Sequence, residues 1–169
     1  MRYAQITSFE VCNGKGAGVS LFTQGCHFKC KGCFNQEAWD FNGGKEWTEE
    51  VENKFFELVS KPYIKRVSIL GGEPLANENL LDVFNLIKRL KVKFPDKNIW
   101  LYTGYTLENI LYNPLRKRIV ELCDVVVDGR YIDELKDLTL KFAGSKNQRL
   151  IDAKKSLKEN KIILYEGDK

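Results

Sequence analysis

Residues 19–34 read VSLFTQGCHFKCKGCF, a short apolar run followed at once by three closely spaced cysteines. The run predicts a buried β-strand that leads directly into a loop carrying Cys26, Cys30 and Cys33. Thiolates are soft ligands that select iron–sulfur clusters, zinc or Cu(I). Three of them within eight residues can hold three corners of a [4Fe–4S] cluster and leave the fourth iron without a protein ligand. An iron left open in this way can bind a small molecule and act on it chemically.

Two other kinds of site compete with an open cluster. Structural zinc needs four Cys or His ligands, so a zinc site would require His27, Cys12 or Cys123 as its fourth ligand. The sequence has no second CxxC or HxxxH pair to supply one. The ferredoxin spacing C-x2-C-x2-C-x3-C is also absent. The pattern therefore favours the open cluster, and we expect Cys12 and Cys123 to be small buried side chains rather than ligands.

Strand and helix patterns alternate along the rest of the chain. The spacing of apolar residues predicts one helix after the N-cap Thr48 and a second helix that stops before Pro95. Shorter helices are expected at residues 106–112, 115–122 and 152–159. Apolar runs predict further strands at residues 64–70, 99–103, 125–127 and 161–165.

This alternation is typical of an α/β fold built from βαβ units with a mostly parallel sheet. At 169 residues we expect one domain, residues 1–169. The chain is too short for the usual eight-unit barrel of about 250 residues, so we expect an incomplete, open βα barrel. Ligands of α/β folds bind at the carboxyl edge of the sheet, where the cysteine loop and the later loops of interest are predicted to lie.

A second motif, Gly71-Gly72-Glu73-Pro74, follows the strand predicted at residues 64–70. Two glycines at a strand end allow close backbone approach and unusual φ angles. Taken alone, such a stretch is usually only a turn. The later polar loops at residues 128–131, 135–137 and 144–149 are likewise predicted to have a structural role.

Composition and charge exclude several classes of protein. The net charge of +4 is scattered, so we expect no nucleic-acid partner. The first ten residues lack the apolar core of a signal peptide, and no run reaches the roughly 20 apolar residues that span a bilayer. We therefore expect a cytoplasmic protein without a membrane partner. Five cysteines in that reducing compartment indicate metal binding or catalysis rather than disulfides.

The cysteine loop, together with the Gly71-Gly72-Glu73-Pro74 turn, resembles the signature of the radical S-adenosylmethionine (SAM) enzymes. The resemblance implies a catalytic [4Fe–4S] cluster on Cys26, Cys30 and Cys33, with SAM bound at the open iron. The cluster then cleaves SAM reductively, and a 5′-deoxyadenosyl radical results.

The same resemblance implies which residues bind SAM. Phe34 is expected beside the adenine instead of serving as a core aromatic, with Gly32 and Cys33 against the nucleoside. The backbone at Gly71 and Gly72 is expected to bind the SAM amino group. Glu73 belongs to this predicted set, or else it only orders the turn.

Within this superfamily, the chain resembles the family of activating proteins of anaerobic ribonucleoside-triphosphate reductase. Besides the two motifs, the matching stretches are residues 13–16, 35–39, 99–105, 128–129 and 144–149. The family implies that the radical removes a hydrogen atom from a glycine of the large reductase subunit, and that a flavodoxin or ferredoxin supplies the electron. This chain departs from the family pattern in having Lys15 instead of Pro and Gly18 instead of Arg.

Three alternatives to this interpretation remain open. One is a radical SAM enzyme with a small-molecule substrate, such as 7-carboxy-7-deazaguanine synthase, which would need no protein partner. Another is a non-catalytic iron–sulfur electron carrier, which would show no SAM-dependent reaction. The third is a zinc-binding interaction module.

Overall fold

The computed structural model describes residues 1–167 as one seven-stranded sheet with five α-helices. The strands are β1 (Arg2–Glu10), β2 (Gly18–Thr23), β3 (Lys45–Glu46), β4 (Arg66–Gly71), β5 (Asn98–Tyr102), β6 (Val125–Asp128) and β7 (Arg149–Asp152). The helices are α1 (Glu49–Val59), α2 (Asn77–Lys93), α3 (Leu107–Ile110), α4 (Pro114–Glu121) and α5 (Ala153–Glu159). Two short 3-10 helices cover Gln36–Ala38 and Asp133–Leu135.

The sheet is parallel in its middle and antiparallel at its edges. Its strand order is β3-β1-β2-β4-β5-β6-β7. The four strands from β2 to β6 run parallel, as the alternating pattern predicts. β1 and β7 close the two sides antiparallel, against β2 and β6 respectively, and β3 pairs antiparallel with β1. The sheet is therefore mixed, with a parallel centre.

The two faces of the sheet have different partners. Leu21, Ile69, Leu101 and Val126 form one fully buried row across the parallel strands, and they pack in the same core as the helices. On the other face, a smaller apolar cluster around Trp100 contains no residue of the five helices. One face of the sheet is thus covered by helices, and the other is left to a cavity.

The helix boundaries follow local capping chemistry. Thr48 is the N-cap of α1, as predicted, and its hydroxyl accepts a hydrogen bond from the Val51 amide at 3.2 Å. Asn113 caps α4 in the same way, with Pro114 at the first turn, where its missing N–H costs nothing. α2 ends at Lys93, before Pro95, as predicted. Among the helices of residues 1–167, none combines the length and apolar character that a bilayer span requires.

Two features of the sheet differ from the sequence prediction. The strand predicted at residues 161–165 is wrong, because this segment pairs only through an isolated bridge between Leu164 and Ile151. The edge position is taken instead by β7, whose first residue was predicted in a polar loop and whose last residue was predicted in a helix. The nine-residue strand β1 was not predicted at all. β7 is an edge strand, and β1 is covered on its outer side only by the two residues of β3. Most residues of both strands are half-exposed or exposed, so neither strand shows a continuous apolar run.

Candidate functional site

A cavity of about 530 Å³ lies on the face of the sheet without helices, toward the carboxyl ends of the parallel strands. The loops after β2, β4, β5 and β6 all contribute to its wall. All three loop cysteines line it, together with Phe34, Gly71, Gly72 and Glu73. The structure thus places the two sequence motifs around one space, where ligands of α/β folds bind.

The cysteine loop is turned sharply within itself. The Cys33 amide donates to the Cys30 carbonyl at 3.1 Å, and the Asn35 amide donates to the Cys33 sulfur at 3.4 Å. Cys26, Cys30 and Cys33 are all half-buried free thiols. Burial raises the pKa of Cys26, although the amides of the loop oppose this shift. Amide donors near a sulfur favour the thiolate, which is the form that binds metal.

Two other segments hold this loop from outside. The Gly25 amide donates to the Ala38 carbonyl at 2.7 Å, and the Cys26 amide donates to the Trp39 carbonyl at 3.1 Å. From the second motif, the Glu73 amide donates to the Gly25 carbonyl at 2.8 Å. The start of the loop is therefore fixed between the 3-10 helix of residues 36–38 and the turn after β4.

The glycine pair is required by close backbone approach. A Cβ on Gly72 would lie 2.4 Å from the Gly25 carbonyl oxygen. Gly71 has a φ of +120°, and a Cβ there would lie 2.3 Å from the Thr23 amide nitrogen. Neither position accepts a side chain without moving the backbone that carries the cysteines. The turn after β4 and the cysteine loop therefore form one packed unit.

The buried carboxylate of Glu73 accepts hydrogen bonds at both of its oxygens. One oxygen accepts from the Thr103 hydroxyl at 2.7 Å and from the Leu75 amide at 2.9 Å, and the other accepts from the Gly104 amide at 2.7 Å. Burial raises the pKa of Glu73 to about 7, although these hydrogen bonds act in the opposite direction. The side chain orders its own turn and ties the end of β4 to the end of β5.

Phe34 is an exposed aromatic at the rim of the cavity, and not a core residue. Its side chain is 59% exposed, and its ring centroid lies 5.2 Å from that of Tyr131. Gly32, two residues earlier, leaves room for the Asp133 side chain, since a Cβ there would lie 2.4 Å from the Asp133 carboxylate. An exposed aromatic beside three thiols is available to stack on a planar ligand.

The candidate fourth zinc ligands are directed elsewhere. His27 contacts Glu78, with 2.6 Å between its Nε2 and a carboxylate oxygen, and stacks on Phe41. Cys123 is fully buried after α4, as predicted, and its sulfur donates to the Ile119 carbonyl. Within residues 1–167, no three His, Cys, Asp or Glu side chains converge closely enough to hold a single metal ion. A four-iron cluster takes each cysteine at a separate corner, so it does not require the three thiols to converge on one ion.

Cys12 does not match its prediction as a small buried side chain. It is exposed and reaches the same cavity, but beside Glu10, whose carboxylate accepts from the Cys12 amide at 2.7 Å. This cysteine lies in the loop between β1 and β2, where the sequence pattern predicts neither a helix nor a strand. Its backbone is held by Glu10 on β1, whereas the three loop thiols lie on the segment that follows β2.

The sequence analysis missed a buried ion pair beside Cys12, formed by Glu10 and Arg66. Arg66 is fully buried and donates to the Glu10 carboxylate at 2.7 Å. That carboxylate also accepts from the Ser20 hydroxyl at 2.5 Å and from the Asn13 amide at 2.8 Å. Burial alone raises the pKa of Glu10, but the hydrogen bonds from Arg66 and Ser20 outweigh it and hold the pKa at about 2. In the sequence, the pair is indicated only by an arginine inside the stretch of residues 64–70 that predicts a buried strand.

The polar loops after β6 have the structural role that was predicted for them. The Gln148 side chain accepts from the Gly144 amide at 2.8 Å and donates to the Gly129 carbonyl at 3.0 Å. This arrangement presents Arg130, which donates to the Phe28 carbonyl at 3.3 Å and covers the Phe28 ring. The loop that follows β6 therefore contacts the cysteine loop directly, through Arg130.

Comparison with known proteins gives a consistent set of relatives. A model of the 4Fe-4S single cluster domain matches residues 12–151. The anaerobic ribonucleoside-triphosphate reductase-activating protein of Vibrio cholerae is 40% identical over 150 residues, which cover 88% of this chain and 96% of that protein. The proteins of the same name from Salmonella typhimurium and phage T4 are each 37% identical over 150 residues. These cover 88% and 89% of this chain, and 96% and 93% of the respective relatives.

Proposed function

Since this chain belongs to the family of anaerobic ribonucleoside-triphosphate reductase-activating proteins, we propose that it is the iron–sulfur, SAM-dependent activase of such a reductase. Its substrate is a glycine of the large reductase subunit, which leaves the reaction as a glycyl radical. A flavodoxin or ferredoxin supplies the electron. In enzymatic terms the protein is a radical SAM oxidoreductase.

The observation that carries this proposal is the meeting of three thiols and a glycine turn around one cavity. Cys26, Cys30 and Cys33 hold a [4Fe–4S] cluster by three of its irons. Cys12 shares the cavity but contacts Glu10 on β1, and we assign it no place among the ligands, so that the fourth iron stays open. When bound, the cluster and SAM together supply reductive cleavage of a C–S bond, which yields methionine and a 5′-deoxyadenosyl radical.

The chain's own residues bind and orient the cofactor. Phe34 stacks on the adenine, with Gly32 and Cys33 against the nucleoside, because Phe34 follows the third cysteine directly and its ring is exposed at the cavity. The backbone at Gly71 and Gly72 accepts the SAM amino group, and the missing side chains let this turn pack directly against the start of the cysteine loop.

Glu73 contributes to cofactor binding through the position of its turn. Its carboxylate holds Thr103 and Gly104, and its amide holds the cysteine loop through Gly25. It therefore fixes the distance between the loop that carries the cluster and the turn that accepts SAM.

The fold supports the same assignment. Helices cover one face of a sheet with a parallel centre, and the cavity occupies the other face. We assign this arrangement as the open, incomplete βα barrel of the radical SAM type. A cavity with few covering elements gives a polypeptide access to the cofactor, as a protein substrate requires.

Anaerobic reconstitution tests this function. The protein is loaded with iron and sulfide and given SAM and dithionite, with and without the large reductase subunit. We expect 5′-deoxyadenosine in both samples and a glycyl radical EPR doublet only when the subunit is present. Deoxyadenosine without the doublet would indicate a small-molecule substrate. No deoxyadenosine from a fully loaded cluster would identify an electron carrier and overturn the proposal.

Replacement of one loop cysteine tests the ligand set. The Cys26→Ala variant is expected to lose SAM cleavage by at least about 100-fold, because removal of one ligand leaves the cluster with only two protein thiolates. Cys123→Ala is the matched control, since it removes a thiol that is buried after α4. It should retain the iron content and activity of the wild type. Full activity of Cys26→Ala would refute the assignment.

A further inference from the structure

A second groove, of about 290 Å³, lies beside the cysteine loop and is called the outer groove below. It is lined by Cys30, Lys31 and residues 130–134. Cys30, Arg130 and Tyr131 line the main cavity as well, so these three residues separate the two spaces. Under the proposed function, SAM and a polypeptide occupy the main cavity, and an electron carrier has to approach from another side. The outer groove offers such a side, because one of the three proposed cluster ligands belongs to its wall.

The two segments that form the outer groove hold most of the positive charge of the protein. The cysteine loop, residues 26–34, and the loop between β6 and β7, residues 129–148, together carry six of the 27 lysines and arginines but only three of the 23 acidic residues. The basic residues are Lys29, Lys31, Arg130, Lys136, Lys141 and Lys146, and the acidic ones are Asp133, Glu134 and Asp137. The rest of the chain is nearly neutral, with 21 basic against 20 acidic residues. The charge is scattered in the sequence, and the fold brings it together.

Direct contacts join these two segments into one surface. The Lys31 ammonium lies 3.6 Å from a Glu134 carboxylate oxygen. The Lys136 ammonium lies over the Phe34 ring, 5.4 Å from its centroid. A Cβ on Gly32 would lie 2.4 Å from the Asp133 carboxylate, so the later loop packs closely on the cysteine loop. The basic side chains of both segments therefore surround the same three thiols.

The acidic residues of this surface leave its cations available to a partner. Asp133 accepts a hydrogen bond from the Tyr131 hydroxyl at 2.8 Å. Glu134 and Lys31 form an ion pair whose side chains are 70% and 81% exposed, and such an exposed pair is weak. Lys29, Arg130 and Lys136 are exposed as well. An incoming carboxylate can therefore reach several cations at once.

A basic surface around a one-electron centre fits a particular kind of partner. Complexes between electron-transfer proteins are small and transient, so they need no large apolar contact area. Opposite charges guide the two proteins together and raise the rate at which they meet. The complementary partner of this surface is a small carrier protein with an acidic face.

We propose that the outer groove and the lysines around it are the docking surface for the electron donor, a small one-electron carrier protein with an acidic face. The inference rests on the proposed function, because it requires a cluster on the three loop cysteines. In the docked complex the carrier is oxidised by one electron and the [4Fe–4S] cluster is reduced from its 2+ to its 1+ state. No bond forms or breaks in this step.

The test is a double charge reversal, Lys29→Glu with Lys31→Glu, in the cluster-loaded protein. Lys155→Glu with Lys158→Glu is the matched control, since it changes the net charge equally at two exposed lysines of α5, in the helix layer. Dissociation constants are measured for oxidised flavodoxin and ferredoxin of acidic net charge, so that no electron moves. Reduction of the cluster is followed separately, either by these carriers in reduced form or by photoreduced deazariboflavin, which is small and uncharged.

We expect Lys29→Glu with Lys31→Glu to raise the dissociation constant of the carrier, and to slow reduction by it, roughly tenfold at low salt. The difference from the wild type should disappear near about 0.5 M salt, where surface charges are screened. Iron content, reduction by deazariboflavin and the dissociation constant for the large reductase subunit should match those of the wild type and of the α5 control. Lys136→Glu with Lys146→Glu repeats the test outside the cysteine loop and should weaken carrier binding in the same direction.

Three results would overturn the proposal. One is carrier binding by both double variants that is as tight as that of the wild type, or a wild type that binds neither carrier. Another is an equal loss of carrier binding in the α5 control, which would indicate a general effect of net charge. The third is weaker binding of the large reductase subunit with unchanged carrier binding, which would assign this surface to the substrate protein.

The same samples separate this inference from the proposed function. If the wild type, reduced by deazariboflavin, produces 5′-deoxyadenosine and the glycyl radical while the variants bind the carrier normally, only the inference fails. If the wild type produces no 5′-deoxyadenosine after this reduction, the proposed function fails, whatever the dissociation constants of the carriers.

Discussion

At the scale of single residues, Glu73 makes the stability of the protein depend on pH. Its pKa in the folded protein is about 7, above the ordinary value of 4.5. Between these values the folded protein binds more protons than the unfolded chain, so the free energy of unfolding falls as the pH rises. The contribution is complete below about pH 4.5 and lost above about pH 7, and it amounts to about 3 kcal/mol.

Denaturant titrations of the cluster-free protein between pH 4.5 and 8 test this dependence. The unfolding free energy of the wild type should fall across this range, and Glu73→Gln should flatten the slope because an amide does not titrate. Glu10, whose pKa is held at about 2, acts in a different window, since its contribution is lost only as the pH falls below about 4.5. A slope that Glu73→Gln leaves intact would show that another group titrates.

Sequence reasoning identified the residues of the site that stand in local motifs. The loop cysteines and the glycine pair are recognisable because their chemistry depends on spacing within a few residues. Glu10 and Arg66 are 56 positions apart, and neither stands in a local motif. Contacts between distant residues leave no local pattern in a sequence.

At the scale of elements, Arg66 joins β4 to the end of β1 and to the loop that follows it. The side chain reaches this loop across Gly18, its register neighbour on β2. A Cβ on Gly18 would lie 2.5 Å from the guanidinium carbon, so the guanidinium fills the space beside this glycine. Gly18, where the resemblance implies an arginine, thus leaves room for the arginine that this chain carries on the neighbouring strand.

A double-mutant cycle tests this exchange. Arg66→Gly should destabilise the fold by about 3–5 kcal/mol, because the buried Glu10 carboxylate loses its cationic partner. Gly18→Arg alone should also destabilise, because two arginines then compete for one space. The combined variant should recover at least half of the Arg66→Gly loss in urea denaturation. If the losses of unfolding free energy in the two single variants add up in the combined variant, an arginine at position 18 does not reach Glu10.

The order of elements was more predictable than the edges of the sheet. Strands β2, β4, β5 and β6 are buried on both faces and appear in the sequence as short apolar runs. β1 and β7 depend on pairing with a neighbour that is already in place, so their sequences carry a weaker signal. The apolar run at residues 161–165 was mistaken for a strand because its side chains pack without forming a ladder.

At the scale of the whole molecule, the structural core and the site occupy opposite faces of the sheet. The large core joins the helices to one face, and the cysteine loop contributes no buried apolar side chain to it. Removal of the cluster should therefore leave the protein folded. We expect hydrogen exchange of the cluster-free protein to increase at residues 24–39 and in the adjoining loops, while the central strands and α2 keep their protection. General loss of protection would mean that the metal is needed for folding.

The contacts around the cysteine loop also bear on how the protein is made in the cell. The loop emerges early from the ribosome, but Glu73 and Arg130, which hold it at Gly25 and Phe28, are synthesised later. Arg130 is 102 positions away from its partner, so most of the chain must be complete before this contact can form. Until then the three thiols belong to a nascent segment whose stabilising contacts have not yet formed. We therefore expect an iron–sulfur cluster to be inserted after translation, into a chain that has already folded.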